Sequence, residues 1–197
     1  MTPRLYLAST SRYRAELLAR LGLPFAAEAP GVDESLRAGE SPGGRALRLA
    51  HAKAAAVAAR HPEAWVIGSD QVADLGGRIL DKPGDAERCR AQLAAESGRS
   101  VEFHTAVVLH RAAPGHVAEH VDRTVVRFRS LTAGEIARYV ELDRPFDCAG
   151  GFRSEGLGAA LFASLETSDP AALVGLPVIW LAGALRAAGL DPLAARV

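Results

Sequence analysis

The chain has 197 residues and little of several features that mark specialised classes of protein. Its two cysteines, Cys89 and Cys148, lack the short spacing of a metal site, so we expect neither a disulfide framework nor a zinc module. Lys and Arg total 23, as do Asp and Glu, and this balance excludes a strongly basic protein that coats nucleic acid. The sequence has no apolar leader and no apolar run long enough to span a bilayer. The expectation is a cytoplasmic protein that binds neither nucleic acid nor membranes.

Helical and strand patterns alternate along the chain, and the composition is that of a globular protein, with 49% hydrophobic and 23% charged residues. The patterns predict strands at 5–8, 24–28, 65–73, 78–80, 101–110, 119–129 and 159–166. They predict helices at 12–21, 44–60, 85–96, 132–142 and 177–188, with an irregular, glycine-rich segment at 143–158. We therefore expect an α/β protein with a mixed sheet, formed as one domain over residues 1–197.

The segment from Leu5 to Arg14 carries the first functional signal. A short apolar strand leads through Ser9 and Ser11 into the N-terminus of an amphipathic helix, where Arg12 and Arg14 also lie. Free N–H groups and the positive end of the helix dipole favour an anion there, and arginine suits phosphate. The glycines of a Walker or Rossmann phosphate loop are absent from this segment. An ordinary Ser-capped turn with solvated arginines is the alternative that this segment alone leaves open.

An acidic residue interrupts a strand that has the pattern of a buried one. Asp70 lies within the apolar segment 65–73, and a buried carboxylate without a partner is unfavourable. A metal ion, a cation or a reacting water would each supply a partner. Gly68 shares the face of Asp70 under strict alternation and leaves room above the sheet. The alternative is a strand end with Asp70 at the rim of the sheet.

A lysine occupies a stripe of small residues on the Ala-rich helix at 44–60. Lys53 shares one helical face with Ala46 and Ala50, so its side chain starts from a position that we expect to be buried. The ammonium group can snorkel to solvent, reach a phosphate or neutralise Asp70. The sequence of the helix alone leaves these three outcomes open.

In combination, these segments resemble the Maf family of nucleotide pyrophosphatases. The family motifs occur in order along the chain as Ser9-x-Ser11-x-x-Arg14, Val32-Asp33-Glu34, Lys53-Ala54, Asp70 and Lys82-Pro83. The resemblance implies a two-lobed α/β fold on a mixed, twisted sheet, with the active site in the cleft between the lobes. It also implies a cytoplasmic hydrolase that uses Mg²⁺ or Mn²⁺ to cleave the α–β bond of a nucleoside triphosphate. A homodimer and an association with cell-division arrest are further implications.

Within the family, the chain is most similar to the 7-methyl-GTP pyrophosphatases. The segments that carry this similarity are Gly-Ser-Asp-Gln at 68–71, the glycine-rich segment 148–158, Asp-Pro at 169–170 and Leu-Val-Gly-Leu-Pro at 173–177. The three specificity positions of the subfamily correspond to Tyr13, Gln71 and Glu155, although Arg12-Tyr13 replaces the Pro-Trp pair of close relatives. A dTTP/UTP-type pyrophosphatase and a nucleotide-binding cell-division regulator with little turnover are the alternatives.

The resemblance assigns a role to each candidate residue. Phosphate binding falls to Ser9, Ser11, Arg14, Lys53 and Lys82. Asp70 is the proton acceptor for the attacking water, and it holds the metal together with Glu34. A 7-methylguanine base is cationic and would stack on Tyr13, while the Glu155 carboxylate accepts its N1–H and exocyclic NH₂ groups. Gln71 can read another edge of the base, although alternation along the strand points it away from Asp70. The implied role is to clear a modified nucleotide before it enters nucleic acid.

Overall fold

The computed structural model describes residues 4–194, which form a seven-stranded sheet with helices on both faces. The strands are β1 Leu5–Leu7, β2 Ala26–Ala27, β3 Trp65–Asp74, β4 Ile79–Leu80, β5 Ser100–Arg111, β6 His116–Phe128 and β7 Phe162–Glu166. The helices are α1 Arg12–Ala19, α2 Pro42–Ala58, α3 Ala86–Glu96, α4 Ala133–Asp143, α5 Pro170–Val174 and α6 Val178–Ala187. In this range no helix combines the length and the apolar character that crossing a membrane requires.

The sheet is mixed, as the sequence predicts. Its strand order is β2-β1-β3-β5-β6-β7, and the short β4 pairs with β3 beside this path. β1 runs parallel to both of its neighbours, β2 and β3, while every other pairing is antiparallel. Because only residues 8–11 separate β1 from α1, the N-terminus of α1 lies near the end of β1.

Most predicted elements are confirmed to within a few residues, and the differences have local causes. Gly76 and Gly77 form the turn between the predicted strands at 65–73 and 78–80, and both residues have a positive φ that suits glycine. The strand predicted at 159–166 begins only at Phe162, because a 3₁₀ turn occupies Leu157–Leu161. The Asp-Pro pair at 169–170 begins the short helix α5, for which Asp169 serves as the N-cap.

Three apolar clusters divide the molecule into two lobes. Near β1, Ile67 and Leu109 pack against α1 and α6 on one face of the sheet. On the opposite face, Val66 and Val108 pack against α2. The long strands β3 and β5 then continue into a third cluster around Phe103, which α3 and α4 cover. The two-lobed arrangement that the resemblance implies is therefore present, and the same central strands contribute to both lobes.

A glycine sets the distance between α2 and the sheet. A Cβ atom at Gly68 would lie 2.7 Å from the Ala54 nitrogen and would also collide with the Ala50 carbonyl oxygen. The room that the sequence predicts above Gly68 is therefore filled by the backbone of α2. This close approach allows Lys53, on the same helix, to reach β3.

Candidate active site

A cleft of about 690 Å³ lies between the two lobes. Its walls come from the N-terminus of α1, from α2 and β3, and from the loops that precede α2, follow β4, and join α4 to β7. All ten candidate residues named from the sequence line this cleft: Ser9, Ser11, Tyr13, Arg14, Glu34, Lys53, Asp70, Gln71, Lys82 and Glu155. Their positions in the sequence span most of the chain, and the fold brings them together.

Lys53 joins two carboxylates in the cleft. Its Nζ lies 2.6 Å from Asp70 Oδ1 and 2.9 Å from Glu34 Oε1. Lys53 and Asp70 are buried, whereas Glu34 is exposed. Of the three outcomes open for Lys53, the structure therefore has the ammonium group neutralising Asp70.

The charge around Glu34 keeps its carboxyl group ionised. Partial burial raises the pKa of Glu34, but the hydrogen bond and the charge of Lys53 lower it more, with smaller contributions from Lys82 and Arg14. The net pKa therefore lies below its usual value. Lys82 itself is exposed at the edge of the cleft, where its ammonium group is available to a ligand.

The N-terminus of α1 has the geometry of an anion-binding site. The Ser11 side chain caps the helix by accepting the Arg14 N–H at 3.4 Å, and Ser9 Oγ accepts the Ser11 N–H at 3.1 Å. Both hydroxyl groups accept in these bonds, so their own protons remain available for an anion. The first-turn N–H groups of Arg12 and Tyr13 have no acceptor inside the helix. The segment thus offers several donors to one position in the cleft.

Arg14 brings a desolvated cation to the same place. Its Nε donates to the Gly175 carbonyl oxygen at 2.9 Å, which fixes the guanidinium against the loop after α5. Burial lowers the pKa of Arg14, while the nearby charges of Asp70 and Glu34 act in the opposite direction. A fixed guanidinium with unused donors is well suited to phosphate oxygens.

Tyr13 and Glu155 lie in the cleft on different elements. The Tyr13 hydroxyl accepts from Arg12 Nη2 at 2.7 Å and lies 3.4 Å from both carboxylate oxygens of Asp147. The Arg12 guanidinium lies over the Tyr13 ring, 4.7 Å from its centre. Glu155 is exposed, and Ser154 Oγ donates to its carboxylate at 3.3 Å. The Tyr13 ring and the Glu155 carboxylate therefore both border the cleft, and the Arg12 guanidinium already lies against one side of the ring.

Gln71 faces away from Asp70, as strand alternation predicts. Its Nε2 lies 2.9 Å from the Ala172 carbonyl oxygen, 3.0 Å from the Leu173 carbonyl oxygen and 2.9 Å from Thr105 Oγ1. These bonds use the donor side of the amide to hold α5 against β3 and β5. Gln71 borders the cleft, but its NH₂ group is directed at the protein.

Four charged residues that the sequence did not single out also line the cleft: Arg45, Asp81, Asp147 and Arg153. Arg45 precedes Lys53 by two turns on α2, so the same helical spacing could have found it. Within residues 4–194 its Nε is buried without a hydrogen-bond partner, and its Nη2 donates to the Glu34 carbonyl oxygen at 3.3 Å. Asp147 and Arg153 lie in the glycine-rich segment, where no periodic pattern marks a site.

The cysteine in the cleft is a thiol rather than a thiolate. Burial, and then the charge of Asp147, raise the pKa of Cys148 to about 12. A thiol with this pKa is a poor nucleophile and a poor metal ligand at neutral pH. Cys89 is buried in the core, and both cysteines are free.

Glu34 and Asp70, the pair that the resemblance assigns to a divalent ion, lie 2.9 Å and 2.6 Å from Lys53 Nζ. In the part of the chain that the structure describes, no group of three or more His, Cys, Asp or Glu side chains forms a metal-binding cluster. Mg²⁺ commonly takes one or two protein carboxylates and completes its coordination with substrate phosphates and water. The pair therefore fits an ion that arrives with a phosphate ligand better than an ion held by protein atoms alone.

Comparison with known proteins gives consistent matches over nearly the whole chain. A family model described as Maf, Maf-like protein, matches residues 4–188. The 7-methyl-GTP pyrophosphatase of Xanthomonas axonopodis pv. citri is 57% identical over 189 residues, covering 96% of this chain and 98% of its own. A protein of the same name from Bordetella pertussis is 51% identical over 191 residues, covering 97% and 95%. Among solved structures, the Staphylococcus aureus Ham1 protein aligns at 13% identity with a TM-score of 0.47, over 78% of this chain and 88% of its own.

Proposed function

The chain belongs to the Maf family, and from that premise we propose that it hydrolyses 7-methyl-GTP to 7-methyl-GMP and pyrophosphate. The observation that carries this proposal is the placement of Asp70 and Lys53 in one cleft with the phosphate-binding N-terminus of α1. The names of the similar Xanthomonas and Bordetella proteins support the choice of substrate. One functional domain over residues 1–197 agrees with the family match over 4–188.

Asp70 acts as the general base in this proposal. Lys53 holds its Oδ1, and Oδ2 has no hydrogen-bond partner among residues 4–194, so Oδ2 is free to accept a proton from water. The water attacks the α-phosphorus, and the bond from that phosphorus to the bridging oxygen of the β-phosphate breaks. The proton passes to Asp70, and pyrophosphate leaves with the bonding electron pair.

The cations of the cleft bind the triphosphate and stabilise the charge that develops on pyrophosphate. Arg14 and Lys82 supply donors from two different segments that line the cleft, and Lys53 lies next to the reacting water through its contact with Asp70. Ser9 and Ser11 orient phosphate oxygens through their hydroxyl protons. Arg14, Lys53, Ser9 and Ser11 are held by contacts within the protein before substrate binds, which reduces reorganisation during the reaction.

Glu34 and Asp70 would hold the divalent cation, Mg²⁺ or Mn²⁺. When bound, the ion neutralises part of the triphosphate charge and polarises the phosphate oxygens. The ionised state of Glu34, which Lys53 favours, supplies the charged oxygen that such an ion requires.

Recognition of the base falls to the other side of the cleft. A 7-methylguanine base carries positive charge and stacks favourably on an aromatic face, which Tyr13 supplies. The Glu155 carboxylate accepts the two donors on one edge of guanine. Gln71 acts indirectly, because its NH₂ group positions α5 and the loop that contacts Arg14. In a cytoplasmic setting, this selectivity would remove a modified nucleotide before polymerases incorporate it.

Product analysis with one variant tests this proposal. We expect the wild-type protein to convert 7-methyl-GTP to 7-methyl-GMP and pyrophosphate, and Asp70→Asn to lower kcat by about 10²- to 10⁴-fold while nucleotide binding persists. Asp85→Asn is the matched control, because Asp85 caps α3 away from the cleft and asparagine caps equally well. Release of 7-methyl-GDP and orthophosphate would contradict cleavage at the α–β bond. A wild-type rate in Asp70→Asn would contradict the role of Asp70.

A further inference from the structure

We propose that Asp143, the last residue of α4, is a positioning residue that sets the place of Glu155 in the cleft and thereby controls base selectivity. The inference rests on the proposed function, because it assumes that Glu155 recognises the base. Asp143 does not line the cleft, so any effect it has on the substrate must pass through the segment that it holds.

Asp143 is a buried carboxylate at a position that does not favour one. It is 7% exposed and lies at the C-terminus of α4, where the negative end of the helix dipole disfavours an acidic group. Arg144 follows it in a left-handed conformation, which ends the helix. An acidic residue at this position destabilises the helix itself, so contacts with other groups must stabilise the buried carboxylate.

Those partners come from the glycine-rich segment and from α4. The Tyr139 hydroxyl donates to Asp143 Oδ2 at 2.7 Å, and Arg153 Nη2 donates to Oδ1 at 2.6 Å. Arg153 also donates to the main-chain carbonyl oxygen of Asp143. In addition, the main-chain N–H of Arg153 donates to the Tyr139 hydroxyl at 3.0 Å. Both the backbone and the side chain of Arg153 are therefore attached to the end of α4.

The contacts fix the backbone on both sides of Glu155. The N–H groups of Gly156 and Gly158 donate to the Arg153 carbonyl oxygen at 3.2 and 3.0 Å, which closes a tight turn. Gly156 lies directly against Asp143, since a Cβ there would be 2.9 Å from Oδ1. Arg153 and Gly156 are therefore both anchored, and Glu155 lies between them in the sequence, with its own side chain exposed.

An exposed side chain of this kind needs a fixed backbone in order to discriminate between ligands. Glutamate has several freely rotating bonds, and ordering it on binding opposes affinity. By anchoring the turn at 153–158, Asp143 keeps the backbone of Glu155 in place, so that only the side chain has to be ordered on binding. The phosphate-binding residues lie in or just before α1, on α2 and after β4, and Asp70 lies on β3. We therefore expect loss of Asp143 to change base selectivity and to leave the chemistry at the α-phosphorus nearly intact.

A double-variant cycle tests the inference. The substrates are 7-methyl-GTP and 7-methyl-ITP, which differ only in the exocyclic amino group that Glu155 is expected to accept. We expect Asp143→Asn to lower kcat/KM for both substrates, because both present N1–H to Glu155, and to lower it about tenfold more for 7-methyl-GTP, the effect of losing one further hydrogen bond to a charged group. In a Glu155→Gln background, Asp143→Asn should change the ratio of the two kcat/KM values no further.

Hydrogen exchange at the amides of Gly156 and Gly158 supplies a readout that does not depend on turnover. Faster exchange at both amides is expected in Asp143→Asn. Tyr139→Phe removes a single hydroxyl group, so it tests the same network if Asp143→Asn does not fold, with the same direction expected in selectivity and in exchange. Glu141→Gln is the matched control, because Glu141 lies on the same helix in an exposed pair with Arg138.

The possible outcomes separate this inference from the proposed function. Unchanged selectivity and unchanged exchange in a folded Asp143→Asn protein would overturn the inference while 7-methyl-GTP turnover stands. Selectivity losses that multiply in the double variant would also overturn it, because Asp143 would then act independently of Glu155. Absence of 7-methyl-GTP turnover in the wild-type protein would remove the proposed function. In that case, unchanged exchange would still count against Asp143 as the anchor of the turn.

Discussion

At the scale of single residues, the buried charge of Lys53 is compensated by two carboxylates in the cleft. Its ammonium group is shared between Asp70 and Glu34, which come from β3 and from the loop before α2. Removing one member of a buried pair is strongly destabilising, because the remaining charge loses its compensation. The arrangement therefore links the stability of this region to the same three residues that the proposed reaction requires.

Glu96 is a buried acidic residue that the proposed reaction does not use. It ends α3 and is completely buried, and among residues 4–194 neither of its carboxylate oxygens has a hydrogen-bond partner. Burial raises the pKa of Glu96 from 4.5 to about 8. The folded protein therefore holds a proton here that the unfolded chain releases between these two pH values, so this group makes stability fall as the pH rises through that window.

We predict that Glu96→Gln removes this part of the pH dependence. Between pH 5 and pH 8, the wild-type free energy of unfolding should fall by about 3 to 4 kcal/mol more than that of the variant. Urea denaturation at the two pH values measures the difference. Glu87→Gln, at an exposed position in the first turn of the same helix, is the control and should follow the wild type. Parallel pH profiles for the wild type and Glu96→Gln would contradict the assignment.

The sequence allowed part of the site to be predicted at this scale. Asp70 and Lys53 were recognisable because each places a charge where periodicity indicates burial, and the structure pairs them. Glu34 had no such signal, since an acidic residue in a loop is ordinary, and only the family resemblance pointed to it. Asp143 and Arg153 were not found, because their pairing depends on how an irregular segment folds back onto α4.

At the scale of elements, the contact between α2 and β3 determines the geometry of the cleft. The helix lies so close to the strand that no side chain fits at Gly68. The atoms that a side chain would meet include backbone atoms of Ala50 and Ala54, which cannot move without moving the helix. Lys53 therefore reaches Asp70 only because Gly68, two residues before Asp70 on β3, has no Cβ atom to hold α2 away.

We predict that Gly68→Ala destabilises the protein and lowers its activity together. The added methyl group should lower the free energy of unfolding by about 1 to 3 kcal/mol, as overpacking does, and should push α2 and Lys53 away from Asp70. Thermal unfolding and turnover measured on the same samples provide the test. Gly183→Ala in α6 is the control, because its Cβ would meet nothing within 4 Å, and alanine should stabilise that helix slightly. Wild-type stability and turnover in Gly68→Ala would contradict this account of the contact.

Elements with a regular period were predicted from the sequence, and elements that depend on tertiary contacts were not. The capping box at Thr132 and Glu135 located the start of α4 correctly, since both of its hydrogen bonds are local. The five-residue helix α5 is absent from the predicted elements, because it is too short to show a period. Its position is stabilised by Gln71 and Thr105 on distant strands, which local sequence does not reveal.

At the scale of the whole molecule, the cleft exists because long strands serve two separate cores. The strands β3 and β5 pass from the clusters covered by α1, α2 and α6 to the cluster covered by α3 and α4. Asp70 lies on β3 between these cores, and the glycine-rich segment approaches from the second lobe. The mixed sheet was predictable from alternating patterns, whereas this division into lobes was expected only from the resemblance.

The account places phosphate chemistry in the middle of the cleft and base recognition on the side of Tyr13 and Glu155. If this division is correct, substrates that share a triphosphate should differ chiefly through their bases. A cationic guanine should then be preferred over a neutral one, because it stacks more strongly on Tyr13 and presents the same edge to Glu155.

The most direct test of this central claim is pyrophosphate release, measured with Mg²⁺ or Mn²⁺, across 7-methyl-GTP, GTP, dTTP, UTP, CTP and ITP. The account predicts the highest kcat/KM for 7-methyl-GTP, clearly above that for GTP. A preference for dTTP or UTP would contradict the assigned base recognition and leave the hydrolase assignment intact. Binding of these nucleotides without turnover of any of them would contradict the assignment of this protein as an enzyme.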